Sequence, residues 1–265
     1  FGSLGIRPTH PQLLDWLASE FTRNNWSLKQ LHRLLMTSAT YRQPTTAALA
    51  LHASDPDNRL LGRMKSRRLD AESLRDAVLA SSASLIPSRN GPPVLVMADR
   101  VGQWVIGKEN LNAGRPGAVI GMKGAEFRRS VWVEVRRSRP LAVLDSFDRP
   151  PMTPNCTERV STTVSSQSLM MMNSDFIVKY SQAFAGHIIE QANDSLEEQI
   201  QLAWKAAYAE LPSTGNLQPL LNFMDAQIEQ FKSEDAKLDD QAAQRKAFEV
   251  LCQALLGSNQ FLYID

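Results

Sequence analysis

The chain has 265 residues, with 29 Lys+Arg against 28 Asp+Glu and 43% hydrophobic residues, a composition that excludes disorder and collagen-like repeats. No apolar run reaches the length of about 18 residues that reads as a bilayer-spanning helix, and no basic, then apolar, leader opens the sequence. Residues 1–150 carry 22 basic against 13 acidic side chains and residues 151–265 carry 7 against 15, a split that weakens any case for nucleic-acid binding and suits two lobes oriented against each other or against neighbouring domains.

The N-terminal part is dense in helix signals. Thr9 and Gln12 can form a reciprocal cap with Pro11 in the first turn, and Leu13, Leu14, Leu17 and Phe21 share a face, which predicts a helix over about 10–23. Ser27 and Gln30 form a second capping box, Trp26 and Leu31 suit a hydrophobic staple, and Leu28, Leu31, Leu34 and Leu35 carry the stripe to about Ser38. Residues 40–60 read as a connector broken by Pro44 and Pro56. A third helix is expected from a cap at Asp70 to about Ala83, with Leu74, Val78 and Leu85 on its apolar side. Around its start, Arg68 and Glu72 are four apart, as are Glu72 and Asp76, while Arg68 and Arg75 are seven apart and return to one face. This spacing predicts that Arg68 or Arg75 pairs with a carboxylate and ties the helix to residues 127–150.

The character changes after Pro87. Seven of the 13 glycines fall between 91 and 124. Val94–Ala98 and Gln103–Ile106 suit a hairpin, and residues 107–126 suit a long loop. Val131, Val133 and Val135 alternate with Trp132, Glu134 and Arg136, the strongest strand pattern in the chain, so this segment is expected to complete a small antiparallel sheet. Leu141–Phe147 suits one or two helical turns, and an irregular passage runs from Asp148 to Val160. Beyond it come helices at about 163–172, 174–192 and from the Ser195 and Glu198 capping box. A turn at Pro212–Gly215 precedes two more helical stripes, with Gly257 placed as a C-cap. The expected fold is mainly α, a helical domain with a small antiparallel sheet inserted, made of parts at 1–86, 87–150 and 151–265 that form one integrated domain.

Chemistry is harder to find. The glycine spacings lack the Lys-Ser/Thr of a phosphate loop, and no G-x-S-x-G elbow occurs. His10, His32, His52 and His187 are scattered, no zinc-type spacing is present, and no metal site is expected. Covalent haem needs C-x-x-C-H, which the lone Cys156 and Cys252 do not supply, so no cofactor is expected in this chain. The two cysteines are structural candidates, either as separate buried thiols or as one disulfide. Arg128, Arg129, Arg136, Arg137 and Arg139 suit carboxylate, sulfate or phosphate groups, with structural pairing as the competing role. The candidate polar network or anion site is Arg68, Glu72, Arg75, Asp76, Arg137, Arg139, Asp148 and Arg159. As an enzyme site it would use the arginines to position an anion and Glu72 or Asp148 to move a proton.

Several blocks carry a resemblance. They are P-T-H-P-Q-L-L-D-W-L-A at 8–18, L-H-R-L-L-M-T-S-A-T-Y-R-Q at 31–43 and N-R-L-L-G-R-M-K-S-R-R-L-D-A-E-S-L-R-D-A-V-L at 58–79. F-R-R-S-V-W-V-E-V-R-R-S-R-P-L at 127–141, F-D-R-P at 147–150, C-T-E-R-V-S-T-T-V-S-S-Q-S-L at 156–169, M-N-S-D-F at 172–176 and N-Q-F-L-Y-I-D at 259–265 follow in order. Together they resemble the C-terminal conserved domain, of undefined activity, of exported multidomain planctomycete proteins that often also carry a cytochrome c domain. The resemblance implies a fragment of a longer protein in the periplasm or cell envelope, with any haem held upstream and no catalytic residues to carry over. The expected function is a noncatalytic structural or interaction domain, and the alternative is a polysaccharide-acting or redox-associated enzyme completed by upstream domains. Expected partners are those upstream domains, with acidic polysaccharide or another envelope protein beyond them.

Overall fold

The computed structural model describes residues 5–46, 53–112, 115–136, 138, 140–151, 156, 159–192 and 195–264. The chain divides into two compact units, residues 1–67 with 264–265, and residues 68–263.

The first unit contains α1 (Pro11–Arg23) and α2 (Leu28–Thr37). The expected cap from Thr9 and Gln12 is not made: His10 occupies the cap position, and Thr9 Oγ1 bonds its ring nitrogen at 2.9 Å instead. Between the helices the Trp26 N–H donates to Phe21 O and the Asn25 N–H to Thr22 O, while Asn25 takes the left-handed conformation such a helix end requires. Ser27 caps α2 as its sequence predicts, accepting from the Gln30 N–H. Neither helix buries a residue. Asp55 accepts the Arg59 and Leu60 amides and so fastens a local turn.

The second unit is mainly helical with two small antiparallel hairpins. Helix α3 (Ala71–Ser81) sets Leu74, Val78 and Leu79 into the core. Strands β1 (Val96–Ala98) and β2 (Trp104–Ile106) pair with Met97 opposite Val105, and Asp99 Oδ1 closes their turn by accepting the Val101 and Gln103 amides. A second hairpin, β3 (Leu111–Asn112) with β4 (Arg115–Pro116), lies where the glycine content predicts only a loop. The larger departure is at 131–136. Ser130–Trp132 form a 3-10 turn, and among the described residues the only regular pairing in that stretch is one parallel bridge from Val133 to Val94. The turn is held by Asp76, which accepts the Ser130 N–H at 2.6 Å, a tertiary contact that overrides the alternating pattern.

Helix α4 (Ala142–Ser146) is the short helix expected there. The remaining helices are α5 (Ser165–Asn173), α6 (Asp175–Gln191), α7 (Leu196–Tyr208), α8 (Thr214–Glu234), α9 (Asp240–Gly257) and α10 (Asn259–Leu262). Ser174 and Ser195 cap α6 and α7 as their positions predict. Helix α9 packs against α6 and α8, and buries Phe248, Leu251, Cys252, Leu255 and Leu256. Gly257 is its last helical residue rather than a left-handed cap; Ser258 follows with extended backbone and caps α10 through the Phe261 N–H. Near the chain's end the Leu69 N–H donates to Leu262 O. None of the helices formed by described residues is long and apolar enough to cross a membrane.

Candidate functional site

The candidate residues gather around α3 in the second unit, in three groups. The first is centred on Arg68, which the seven-residue spacing is expected to bring to one helix face with Arg75. Asp70 caps α3, so Arg68 precedes it and the seven-residue spacing to Arg75 does not place the two on one helical face. The Arg68 guanidinium donates to Asp148 Oδ2 at 2.6 Å, Thr162 O at 2.5 Å and Phe147 O at 3.3 Å, with Phe147 against its plane. Asp148 also accepts the Thr162 N–H and hydroxyl at 2.8 Å. Burial works to raise the Asp148 carboxyl, but these donors from Thr162 and Arg68 together hold it below the usual carboxylate range. Gln167 adds a further link, accepting the Val164 N–H and donating to Ser146 O. The expected tie from the start of the third helix to the 127–150 region is therefore present as Arg68–Asp148.

The second group hangs from Arg75, on the buried side of α3. Its terminal nitrogens donate to Arg128 O at 3.0 Å, Ser130 Oγ at 3.1 Å and Glu126 O at 2.8 Å. Desolvation pushes its pKa down, although Asp76 lies 3.7 Å away. The Glu126 carboxylate folds back onto the Met122 and Gly124 amides. Arg128 in turn stacks on Trp132 and donates to Ser88 Oγ, Pro92 O and Asn90 O, closing the 88–92 loop. Gly91 sits in that loop with φ +134°, and a Cβ there would lie 3.1 Å from the Arg128 guanidinium. Arg75 Nε and Arg68 Nε have no hydrogen-bond partner among the described residues.

The third group faces outward. Glu72 accepts from Arg159 at 2.7 Å, and Asp70 is 3.7 Å from the same guanidinium. The hydrogen bond that Arg159 donates to Glu72 is the main reason its pKa is raised. Asp76 binds Arg129 Nε at 3.2 Å as well as the Ser130 amide. Glu134 accepts the Val96 amide and pairs with Arg136. These residues line a cleft of about 440 Å³, which Arg149 also lines together with Val131, Val133, Val135, Leu141, Leu144 and three prolines. The volume is in the range of ligand sites.

Of the eight candidates, Glu72, Asp76 and Arg159 line this cleft, while Arg68, Arg75 and Asp148 stand in the two buried networks. Arg137 and Arg139 lie outside the described residues. Cys156 and Cys252 are thiols, not a disulfide, and burial pushes the Cys252 thiol pKa strongly upward. Among the described residues, no group of three or more His, Cys, Asp or Glu side chains could hold a metal ion. Sequence reasoning missed Glu126, Ser130 and Thr162. Glu126 and Thr162 meet the arginines through backbone oxygens, which every residue has, so their side-chain identity gives no signal of those contacts.

The chain belongs to the family described as PSD1, protein of unknown function (DUF1553), whose model matches residues 1–224. This agrees with the resemblance carried by the sequence blocks, although the last of them, at 259–265, lies beyond the matched span. No curated protein and no solved structure matches.

Proposed function

We propose that this DUF1553 chain is a noncatalytic interaction domain of an exported, multidomain protein working in the periplasm or cell envelope, with other domains of that protein as its first partners. The observation that carries this reading is how the charged candidates are used. Arg68 and Arg75 direct their terminal nitrogens, and Asp148 its carboxylate, onto backbone groups and neighbouring hydroxyls, and Arg68 and Asp148 bind each other, which fastens loops. Such a lattice gives a rigid surface rather than a group poised to exchange protons with a substrate.

The competing reading is a polysaccharide-acting or redox-associated enzyme completed by another domain. One feature favours it: Glu72 and Asp76 line the same cleft as Arg129 and Arg159. Equilibrium binding of the chain to acidic polysaccharide and to other segments of its parent protein, with product analysis of the same mixtures, separates the two. The expected result is saturable binding with no new reducing ends. New reducing ends that disappear in Glu72→Gln would overturn the proposal in favour of the enzyme.

A further inference from the structure

The segment Val131-Trp132-Val133-Glu134-Val135 has the strongest strand pattern in the sequence, and the fold leaves it without a completed sheet. Val131 is 72% exposed and Val135 64% exposed, and both line the cleft. One edge of the segment is occupied: the Val94 N–H donates to Trp132 O at 2.7 Å and the Glu134 N–H to Val94 O at 2.9 Å. Successive residues of an extended chain turn their peptide groups to opposite edges, so the edge away from Val94 belongs to Val133 and Val135. The 3-10 turn uses the Val133 N–H, which donates to Ser130 O. Among the described residues, no hydrogen bond engages the Val133 carbonyl or the Val135 N–H and carbonyl. This is an open strand edge beside a cleft lined by valines, leucines and prolines together with charged side chains, and what complements such an edge is another extended backbone.

We propose that residues 133–135 receive an extended peptide segment by strand addition, and that the segment alternates β-branched apolar residues with acidic ones. The inference rests on the reading of the domain as an interaction module and gives that module its surface. The apolar half of the pattern follows from Val131 and Val135, whose exposed side chains line the cleft, and the alternation follows from the extended backbone that strand addition requires. The acidic half follows from Arg129 and Arg136, which flank the edge and are 60% and 33% exposed at the side chain. Each is held to its own carboxylate, Asp76 or Glu134, through Nε, and those carboxylates are turned inward onto the Ser130 and Val96 amides. Among the described residues the terminal nitrogens of both arginines are unengaged, leaving two planar forks suited to incoming carboxylates. A second copy of the chain would bring the same two arginines to the edge, and like charges meeting there disfavour it.

The test is a titration of the whole 265-residue chain with a blocked peptide of alternating Glu and Val, followed by residue-resolved amide hydrogen exchange. Controls are the same peptide with Lys for Glu and one with alternate amides N-methylated. The Glu–Val peptide is expected to saturate below about 1 mM and to slow exchange of the Val135 amide about tenfold or more, while both controls bind at least about tenfold more weakly. In the double variant Arg129→Glu, Arg136→Glu, which changes one exposed and one half-buried side chain, the preference should move to the Lys peptide. Absence of slowed exchange at Val135, or equal binding of the Glu and Lys peptides, would overturn the proposal. So would protection at Val135 that rises with protein concentration alone, which would assign the edge to a second copy. If the peptide fails while binding to other segments of the parent protein persists, this surface is wrong and the interaction reading stands; new reducing ends in the earlier assay would remove that reading itself.

Discussion

On the buried side of α3, Arg75 is 1% exposed and donates to Glu126 O at 2.8 Å; on the outer side Arg159, 42% exposed, donates to Glu72 at 2.7 Å. The bond lengths are nearly equal, so distance does not rank the two contacts. Their surroundings do. Arg159 exchanges one carboxylate for water when the pair breaks, whereas water cannot readily replace Arg75 beneath the 126–130 segment, and its removal leaves carbonyls and a hydroxyl unpaired. The same residue type therefore serves as a structural fastening on one face and as an adjustable rim on the other.

The comparison is most sharply broken by deleting the inner partner. Arg75→Ala is expected to cost about 3–5 kcal/mol, because two carbonyls and a hydroxyl lose their donor at about 1–3 kcal/mol each. Urea unfolding beside the parent measures it, and a cost under about 1 kcal/mol would show that the 126–130 acceptors find water. Loss of the Arg68–Asp148 link comes next. Asp148→Asn removes the charge from a carboxylate that accepts three donors, and about 1.5–3 kcal/mol is expected.

The same carboxylate gives a pH signature. Its folded-state pKa lies below the unfolded value near 3.9, so its stabilisation is complete above that value and is lost as pH falls through the folded pKa. Urea midpoints taken from neutral pH down to about pH 2.5 should show an acid limb that is shallower in Asp148→Asn. An identical limb in the variant would remove Asp148 from the account. A smaller effect is expected at Gly91, where Gly91→Ala combines a left-handed backbone with a close approach to Arg128; about 1–2 kcal/mol of destabilisation, read by thermal unfolding, fits the loop-closing role of that arginine.

The sequence carries the helices well because their ends are written in local chemistry: Ser27, Ser174 and Ser195 each accept the amide three residues on. The Arg68–Asp148 tie is also legible, since both partners are charged side chains and the candidate set contains them. The Arg75 network is only half legible. Its arginine stands out, but its acceptors include the carbonyls of Glu126 and Arg128, and a carbonyl leaves no mark in a sequence. At 131–136 the local pattern predicts the wrong structure for a similar reason. Alternation describes what the segment can pair with, whereas Asp76, 54 residues from Ser130, decides that it begins as a 3-10 turn. Gly257 shows the limit of a punctuation signal, since the next residue, Ser258, supplies a side-chain cap for α10 and no left-handed turn is needed.

The smallest expected effect lies at the outer pair, and it decides whether the contrast between the two faces of α3 is real. Arg159→Ala removes the partner of Glu72 and the neighbour of Asp70, but all three side chains keep access to water. Both carboxylates can then be solvated where they stand, and among the described residues no carbonyl loses its donor. The expected loss in urea unfolding is no more than about 1 kcal/mol at low salt, shrinking toward zero as salt screens the pair. If Arg159→Ala instead costs as much as Arg75→Ala, and salt does not reduce the cost, the rim is as fixed as the core and the cleft is one end of a single rigid lattice. A small, salt-sensitive loss leaves Glu72 and Asp70 able to turn toward an incoming ligand, which is what a binding rim requires.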